Sequence, residues 1–450
     1  MDLKGKKVAI LGVGKTGLAT ARFLAGRGVR LAVTDAKPES AWGEARTTLG
    51  KLPAEWTAAP YGPEILAGAD FVVPSPGIPP ANPILIEAVR RGIPVLSELE
   101  LASRFIATPI IAITGTNGKT TVTSLTGEML QAAGKKIFIG GNIGTPLIGY
   151  AAGPQDADWA VVEVSSFQLQ WTQTFHPRIA VLLNVTTDHI DYHGSFSAYR
   201  EVKERIFARQ TARDLAILNG DEKESAALCA RLAARTELFR SSSPVDSGIF
   251  LSERKLVRPL PGEGREEYPL AMIHLPGRHN CENVMASILA ARACGCDPPA
   301  IVRAVEGFRG IAHRIEYAGK KNGVLFYDDS KGTNVGAVMR SLESFSQPVI
   351  LLLGGRDKEG DFQTLAPLIR RGVKELVLFG EAAEKINGLV GGMVRTTLVA
   401  TLKEAVEKAY RSAAPGDAVL LSPGCASFDE FKDYKERGDL FQKWVEQLST

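Results

Sequence analysis

The chain has 450 residues, too many for one hydrophobic core, and at about 150 residues per domain three domains are expected. Its 45% hydrophobic and 23% charged content is that of an ordinary globular protein, and a net charge of +3 gives no bulk electrostatic reason to expect a nucleic-acid or membrane partner. Five scattered cysteines (Cys229, Cys281, Cys294, Cys296, Cys425) include no Cys-x-x-Cys pair, so neither a disulfide framework nor a zinc site is indicated. No apolar run approaches the roughly 18 residues of a membrane span. The first strand pattern begins within eight residues, leaving no room for a signal peptide. A reducing cytoplasm is the expected location.

Short Val/Ile/Leu-rich runs alternate with amphipathic helical stretches in three successive modules, the pattern of parallel α/β layers. In the first module strands are expected at residues 7–12, 30–35, 71–74 and 94–96. Gly12, Gly14 and Gly17 spell G-x-G-x-x-G after the first strand. Asp35 ends the second, eighteen residues past Gly17, where a ribose-binding acid would lie. Nucleotide or nucleotide-sugar binding is favoured over a packing turn; taken alone, the pattern suggests NAD and a dehydrogenase. Ser75-Pro76-Gly77 follows the third strand, either as a plain turn or as a phosphate-contacting loop on the same crevice.

The second module opens on an apolar run, Ile110-Ile111-Ala112-Ile113, that breaks at Thr114-Gly115-Thr116-Asn117-Gly118-Lys119-Thr120-Thr121. A helical pattern follows, with Val122, Leu125, Met129, Leu130 and Ala133 on one face. Strand, glycine turn, Gly-Lys-Thr and helix describe a phosphate cradle. Backbone N–H groups and the helix N-terminus point at phosphate oxygens, Lys119 neutralises the outer phosphates, and the Thr120 hydroxyl can ligate Mg²⁺. The turn is shorter than the general pattern, with Ile113 where that pattern has a glycine. A nucleoside triphosphate is the expected ligand.

Further strands are expected at residues 136–140, 159–164, 179–184 and 215–219. Glu163 ends a run that reads fully buried; a carboxylate there is costly without a cation, and Mg²⁺ is the natural one, a capping role being the alternative. Asp188-His189 follows the next strand and could hold a second metal, orient a substrate or merely cap the helix starting near Phe196. On the amphipathic helix at 197–207, Lys203 reads as a surface lysine. Residues 240–275 read as a small antiparallel patch without function. Asn280 and Asn283, beside His279 at the start of an Ala-rich helix, suit either capping or adenine recognition.

The third module has expected strands at 324–328, 349–354, 376–380 and 418–422. Polar loops end them: Asp329 to Asn334, Gly354 to Lys358, and Ser422 to Phe428, with His313-Arg314 just before the first. Arg314 can act as an arginine finger on a transferring phosphoryl group. Several such loops on one edge imply a site, because ligands of open α/β sheets sit beyond the carboxyl ends of the strands.

With these residues assembled, the chain resembles the Mur ligases along nearly its whole length. The resemblance rests most specifically on Ile113-Thr-Gly-Thr-Asn-Gly-Lys-Thr-Thr121, Gly140-Gly-Asn-Ile-Gly144, Glu163-Val-Ser-Ser-Phe-Gln-Leu169, His313-Arg314, Asp329-Ser-Lys-Gly-Thr-Asn334 and Ser422-Pro-Gly-Cys-Ala-Ser427. It implies a three-domain α/β protein: a Rossmann-like UDP-binding domain at 1–97, a central P-loop ATPase-type domain at 98–309, and a Rossmann-like amino-acid domain at 310–450. The implied activity is ATP-dependent addition of D-glutamate to UDP-N-acetylmuramoyl-L-alanine, by a cytoplasmic monomer.

By the same resemblance Gly14, Lys15, Thr16, Asp35 and Ser75 would line the UDP pocket, and Asn142 and His189 would hold the muramoyl-alanine. Gly115 through Thr121, with Lys119 and Thr120 foremost, would take ATP phosphates, and Asn280, Asn283, Arg314 and Asp329 would contact ATP as well. Thr120, Glu163, His189 and Lys203 would serve two Mg²⁺ ions, Lys203 as a carbamate and so not as the surface lysine its helix suggests. Lys331, Thr333, Lys358, Ser427, Phe428 and Tyr434 would receive the glutamate. Lys119, His189, Lys203 and Arg314 would form the catalytic set. Sister ligases, folylpolyglutamate synthase, an NAD-dependent dehydrogenase and a nucleotide-switch module are the competing readings.

Overall fold

The computed structural model describes residues 1–58, 62–262, 264–275, 277–357 and 359–448. Lys358, expected in the amino-acid site, lies outside the described residues. The described residues form three sheets within two compact units, Met1–Met272 with Glu282–Gly307, and Ile273–Cys281 with Phe308–Thr450.

The first sheet holds β1 (Lys7–Leu11), β2 (Arg30–Asp35), β3 (Ala54–Ala58) and β4 (Phe71–Pro74), all parallel, in the order β3-β2-β1-β4. Val8, Ile10, Leu31 and Val73 are buried, as the near-continuous apolar runs of a sheet covered on both faces require. From β1 the chain runs out to β2 and β3, then returns to β4 on the other side. This makes β1 the topological switch point, where a ligand crevice opens.

The strand expected at 94–96 does not form; Val95 makes only an isolated bridge to Val72. Pro94 lacks the N–H a ladder needs, and the Ser97 hydroxyl already caps the next helix by accepting from Glu100 N–H at 3.2 Å. β3 was not anticipated, because its Ala-Glu-Trp-Thr-Ala run is only half apolar and half-buried at the sheet edge.

The second sheet has nine strands: β5 (Ile110–Thr114), β6 (Ile137–Gly141), β7 (Trp159–Glu163), β8 (Ile179–Leu182), β9 (Leu215–Asn219), β10 (Arg235–Arg240), β11 (Gly248–Leu251), β12 (Lys255–Pro259) and β13 (Arg265–Pro269). Their order is β13-β12-β11-β10-β9-β8-β5-β7-β6. β5 is buried throughout and flanked by β7 and β8, so the turns leaving all three meet at one edge. The patch expected at 240–275 is partly antiparallel, through β11, β12 and β13, but β11 runs parallel to β10 and so extends the central sheet.

The third sheet contains β14 (Glu316–Lys321), β15 (Val324–Asp328), β16 (Val349–Gly354), β17 (Val373–Phe379), β18 (Arg395–Leu398) and β19 (Ala418–Gly424), ordered β14-β15-β19-β16-β17-β18. β14 is antiparallel to β15 and the others are parallel. Along β16, Leu351 and Leu353 face one core and Ile350 and Leu352 the other. β19 inserts between β15 and β16, bringing three loops together at the carboxyl edge. No helix among the described residues is long and apolar enough to cross a membrane.

Candidate functional site

At the first switch point the glycines are there for close approach. A Cβ on Gly17 would stand 2.0 Å from the Gly12 carbonyl oxygen, and one on Gly12 (φ +99°) 2.4 Å from Ser75 Oγ. Helix Lys15–Ala25 therefore starts tight against β1, with Gly14 as an N-cap that offers no side chain and leaves first-turn N–H groups turned outward. Both Asp35 oxygens are engaged by the loops, Oδ2 accepting from Val13 N–H and Oδ1 from Lys37 N–H, each at 2.8 Å. Asp35 thus fixes the glycine turn. Lys15 donates from Nζ to the Gly144 carbonyl at 2.5 Å, tying this crevice to the loop that carries Asn142. Thr16 lies half-buried beside it.

The phosphate loop follows β5 into helix Lys119–Ala132. Gly118, the N-cap, is left-handed at φ +84°, and a Cβ there would meet Asn283 Oδ1 at 2.4 Å, so Asn283 packs directly on the loop. Asn184, after β8, clamps the turn from both sides: Asn117 N–H donates to its Oδ1 at 2.9 Å and its Nδ2 donates to Asn117 O at 3.1 Å. The Thr116 hydroxyl accepts from Thr186 N–H at 3.0 Å and shares a hydrogen bond with the buried Tyr199 hydroxyl at 3.2 Å. Lys119 folds back on its own loop, donating to the Gly115 and Thr116 carbonyls at 2.9 Å each. Thr120 and Thr121 are buried in the first turn.

Lys203 is 1% exposed and donates to the same Gly115 carbonyl at 2.8 Å. Burial, and then the nearby Lys119 ammonium, hold its amine well below the usual ammonium range; Asp188 and Glu163 oppose the shift only in part. The surface reading of Lys203 is therefore corrected. Tyr199, Val202 and Lys203 form the buried face of helix Phe196–Glu204, and the lysine shares that face, a signal present in the spacing.

Glu163 is buried at the end of β7. Its Oε1 accepts from Asn142 Nδ2 at 2.7 Å, while Oε2 has no hydrogen-bond partner among the described residues. A buried carboxylate oxygen without a donor is the condition a divalent cation would relieve. His189 sits in a left-handed conformation (φ 53°), 4.7 Å between ring centroids from Phe167. Asn142 and Glu163, given separate roles by the resemblance, are thus one hydrogen-bonded pair.

In the second unit Asp329, after β15, is buried and accepts from Ser341 Oγ at 2.6 Å and Ser422 Oγ at 2.7 Å. Burial pushes its carboxyl up to about 6 against these hydroxyls and the Arg314 charge. Arg314 Nε is buried without a partner among the described residues. Burial, and then the charges of Arg340 and Arg314, lower the neighbouring His279 to about 4, a neutral imidazole. Asn280 falls within this unit, Asn283 within the first. Lys331 stands 5.5 Å from the Tyr434 ring centroid, and Thr333 N–H closes a turn onto Lys331 O at 2.9 Å. Ser427 is buried and Phe428 is 60% exposed.

One acidic cluster, His313, Glu316 and Asp328, has ligand atoms within 4.8 Å of one another. Its lone pairs are used internally. His313 Nδ1 bonds Asp328 Oδ2 at 2.7 Å, Gln442 Nε2 donates to both carboxylates at 2.9 Å, and Ser330 N–H donates to Asp328 Oδ1 at 2.8 Å. It reads as a hydrogen-bonded brace, with His313 raised by its Asp328 bond. Sequence reading missed this brace, the Asn184 clamp and Tyr199, which lie far from their partners along the chain.

Three family models match in order: the Mur ligase MurD-like N-terminal domain over residues 6–97, the Mur ligase middle domain over 113–291, and the Mur ligase glutamate ligase domain over 313–425. The chain belongs to the Mur ligase family of ATP-dependent acid–amino-acid ligases. It is 57% identical over 447 residues to a UDP-N-acetylmuramoylalanine–D-glutamate ligase of Syntrophus aciditrophicus, covering 99% of this chain and 98% of that one. To the protein of the same name from Geobacter metallireducens it is 44% identical over 451 residues, covering 100% and 99%. Among solved structures it is similar in fold to MurF ligase from Thermotoga maritima in complex with ADP (TM-score 0.62, 15% identity, 99% of both chains). UDP-N-acetylmuramate-alanine ligase MurC from the same organism gives a TM-score of 0.60 at 19% identity over 98% and 99%.

Proposed function

We propose that this chain adds D-glutamate to UDP-N-acetylmuramoyl-L-alanine with conversion of ATP to ADP and phosphate, a cytoplasmic step in peptidoglycan precursor synthesis. The observation that carries this reading is the end-to-end likeness, at 57% identity, to a relative bearing that name. The reading assigns residues 1–97 to the UDP substrate, 98–309 to ATP and 310–450 to the amino acid, in a monomer.

A carboxylate does not condense with an amine in water, because its oxygen is too poor a leaving group. The alanyl carboxylate oxygen therefore attacks the γ-phosphorus of ATP, the bond to ADP breaks, and an acyl phosphate forms. The glutamate amine then attacks the acyl carbon. The tetrahedral intermediate expels phosphate and the nitrogen loses a proton. Gly115 through Thr121 would cradle the phosphates, Lys119 and Arg314 would neutralise charge as it develops, and Asn280, Asn283 and Asp329 would seat the nucleotide.

The UDP moiety is assigned to Gly14, Lys15, Thr16, Asp35 and Ser75, and the muramoyl-alanine to Asn142 and His189. The glutamate is assigned to Lys331, Thr333, Lys358, Ser427, Phe428 and Tyr434. Supporting the last assignment, most of these residues leave adjacent strands at one sheet edge.

Thr120, Glu163, His189 and Lys203 would hold two Mg²⁺ ions, a fit supported by the unpartnered Glu163 Oε2. Such ions would polarise phosphoryl and acyl oxygens. Lys203 would ligate as a carbamate: its neutral amine adds to CO₂, a C–N bond forms, and one proton leaves to solvent. The depressed amine supports this, since an ammonium is no nucleophile.

The test is phosphate release with ATP, Mg²⁺ and UDP-N-acetylmuramoyl-L-alanine, adding D-glutamate, L-glutamate, meso-diaminopimelate or L-lysine in turn. Release with D-glutamate alone, with a product heavier by one glutamyl residue, is expected. Release with another amino acid would move the enzyme to a sister specificity. No release with any of them would overturn the reading.

A further inference from the structure

Arg437 is 0% exposed and the largest side chain fully withdrawn from solvent among the described residues. It stands in the first turn of helix Tyr434–Gln447. Its Nε donates to Ser330 Oγ at 2.9 Å, and Nη2 donates to Ser330 O at 2.8 Å and Cys425 O at 3.2 Å. Ser330 lies in the loop after β15 and Cys425 in the loop after β19. Nη1 is buried without a partner among the described residues and reaches the loop after β16, where a Cβ on Gly355 would stand 3.2 Å from it. One guanidinium therefore bridges the exits of β15 and β19 and lies against the exit of β16. Lys331 and Thr333 continue the first loop, and Ser427 and Phe428 the second.

As a purely structural element this residue is a poor choice. It donates to a hydroxyl and to carbonyls, and burial pulls its guanidinium down to about 10 even with Asp429, Asp328 and Asp329 nearby. A buried cation without a bonded carboxylate carries a heavy desolvation penalty, which an apolar chain of similar length would avoid. What the guanidinium adds is a rigid fork that sets two backbones at once, and a fixed positive charge in a medium of low dielectric.

We propose that Arg437 is the positioning residue of the amino-acid site: it ties the loops after β15 and β19 together, packed against the loop after β16, and places a permanent cation behind them for a substrate with two carboxylates. This rests on assigning those loops to the amino acid. Arg437 itself touches no substrate, since its atoms are sealed from solvent.

The test uses the full-length protein and three variants. Arg437→Met removes fork and charge at similar volume, Arg437→Lys keeps the charge alone, and Ser330→Ala removes the acceptor of Nε. The KM for D-glutamate is expected to rise at least about 10-fold in Arg437→Met, less in Arg437→Lys, and about 3-fold in Ser330→Ala. The KM values for ATP and the UDP substrate should stay within about 2-fold. An unchanged glutamate KM, or three KM values rising together, would overturn the proposal. Should Arg437→Met not fold, Arg437→Lys and Ser330→Ala give the same split. If wild-type protein releases phosphate with another amino acid, the functional reading fails on its own and the three variants are read with that amino acid.

Discussion

Lys203 and Lys119 converge on one acceptor, the Gly115 carbonyl, at 2.8 and 2.9 Å. Burial, and then the nearby half-buried Lys119 ammonium, disfavour the charged form of Lys203. On the proposed reading, an amine whose charged form is so disfavoured would react with CO₂. Stripping CO₂ and bicarbonate from the buffer should slow phosphate release, and bicarbonate should restore it. Lys203→Met should lower the rate at least about 100-fold. A carbamate carbon signal in the NMR spectrum of protein equilibrated with ¹³C-bicarbonate, absent from the variant, checks the chemistry; full activity without CO₂ would sink it.

Glu163 offers a second handle on the same region. Gln at this position keeps an acceptor for Asn142 Nδ2 but removes the charge of the unpartnered oxygen. Glu163→Gln should raise the Mg²⁺ concentration giving half-maximal rate by about 10-fold or more, with little change in thermal midpoint. An unaltered Mg²⁺ titration would remove Glu163 from the metal set.

Gly118 is held at φ +84° against Asn283. Gly118→Ala places a Cβ 2.4 Å from Asn283 Oδ1 in a conformation L residues avoid, at a cost of about 1–2 kcal/mol before any relaxation. ATP-analogue affinity, measured by calorimetry, should fall at least about 10-fold, while the affinity for the UDP substrate is retained. Equal loss of both would mean general unfolding instead.

Glu98 is fully buried, accepts from Ile148 N–H at 2.5 Å, and has its carboxyl pushed up by burial to about 7 from an ordinary value of 4.5. Between those values the folded chain keeps a proton that the unfolded chain releases. Stability is therefore lost as pH rises from about 4.5 to about 7 and stays lower above that. Glu98→Gln can still accept from Ile148 but carries no charge. It should match the wild type near pH 5 and exceed it at pH 8 by up to about 3 kcal/mol, read from denaturant midpoints. A constant difference across that range would show that Glu98 stays ionised.

Much of this molecule was legible along the chain. Apolar runs such as Ile110-Ile111-Ala112-Ile113 became buried strands because a parallel sheet covered on both faces demands uninterrupted hydrophobic side chains. The glycine turns after β1 and β5 were equally legible, since only glycine permits the close approaches at Gly17 and Gly118. What failed was marginal or non-local. Residues 94–96 have strand composition but no room between Pro94 and the Ser97 cap, while β3 is a strand whose sequence barely says so.

The sequence by itself determined three α/β modules, the phosphate loop and the family, because these depend on local periodicity, glycine placement and motifs a few residues long. Only the tertiary structure decided that Lys203 is buried against Gly115, 88 residues away, and that Asn142 meets Glu163 across 21. It alone showed Arg437 spanning Ser330 and Cys425. Burial and charge proximity set the chemistry of those side chains, and neither is a property of a residue's neighbours in the chain.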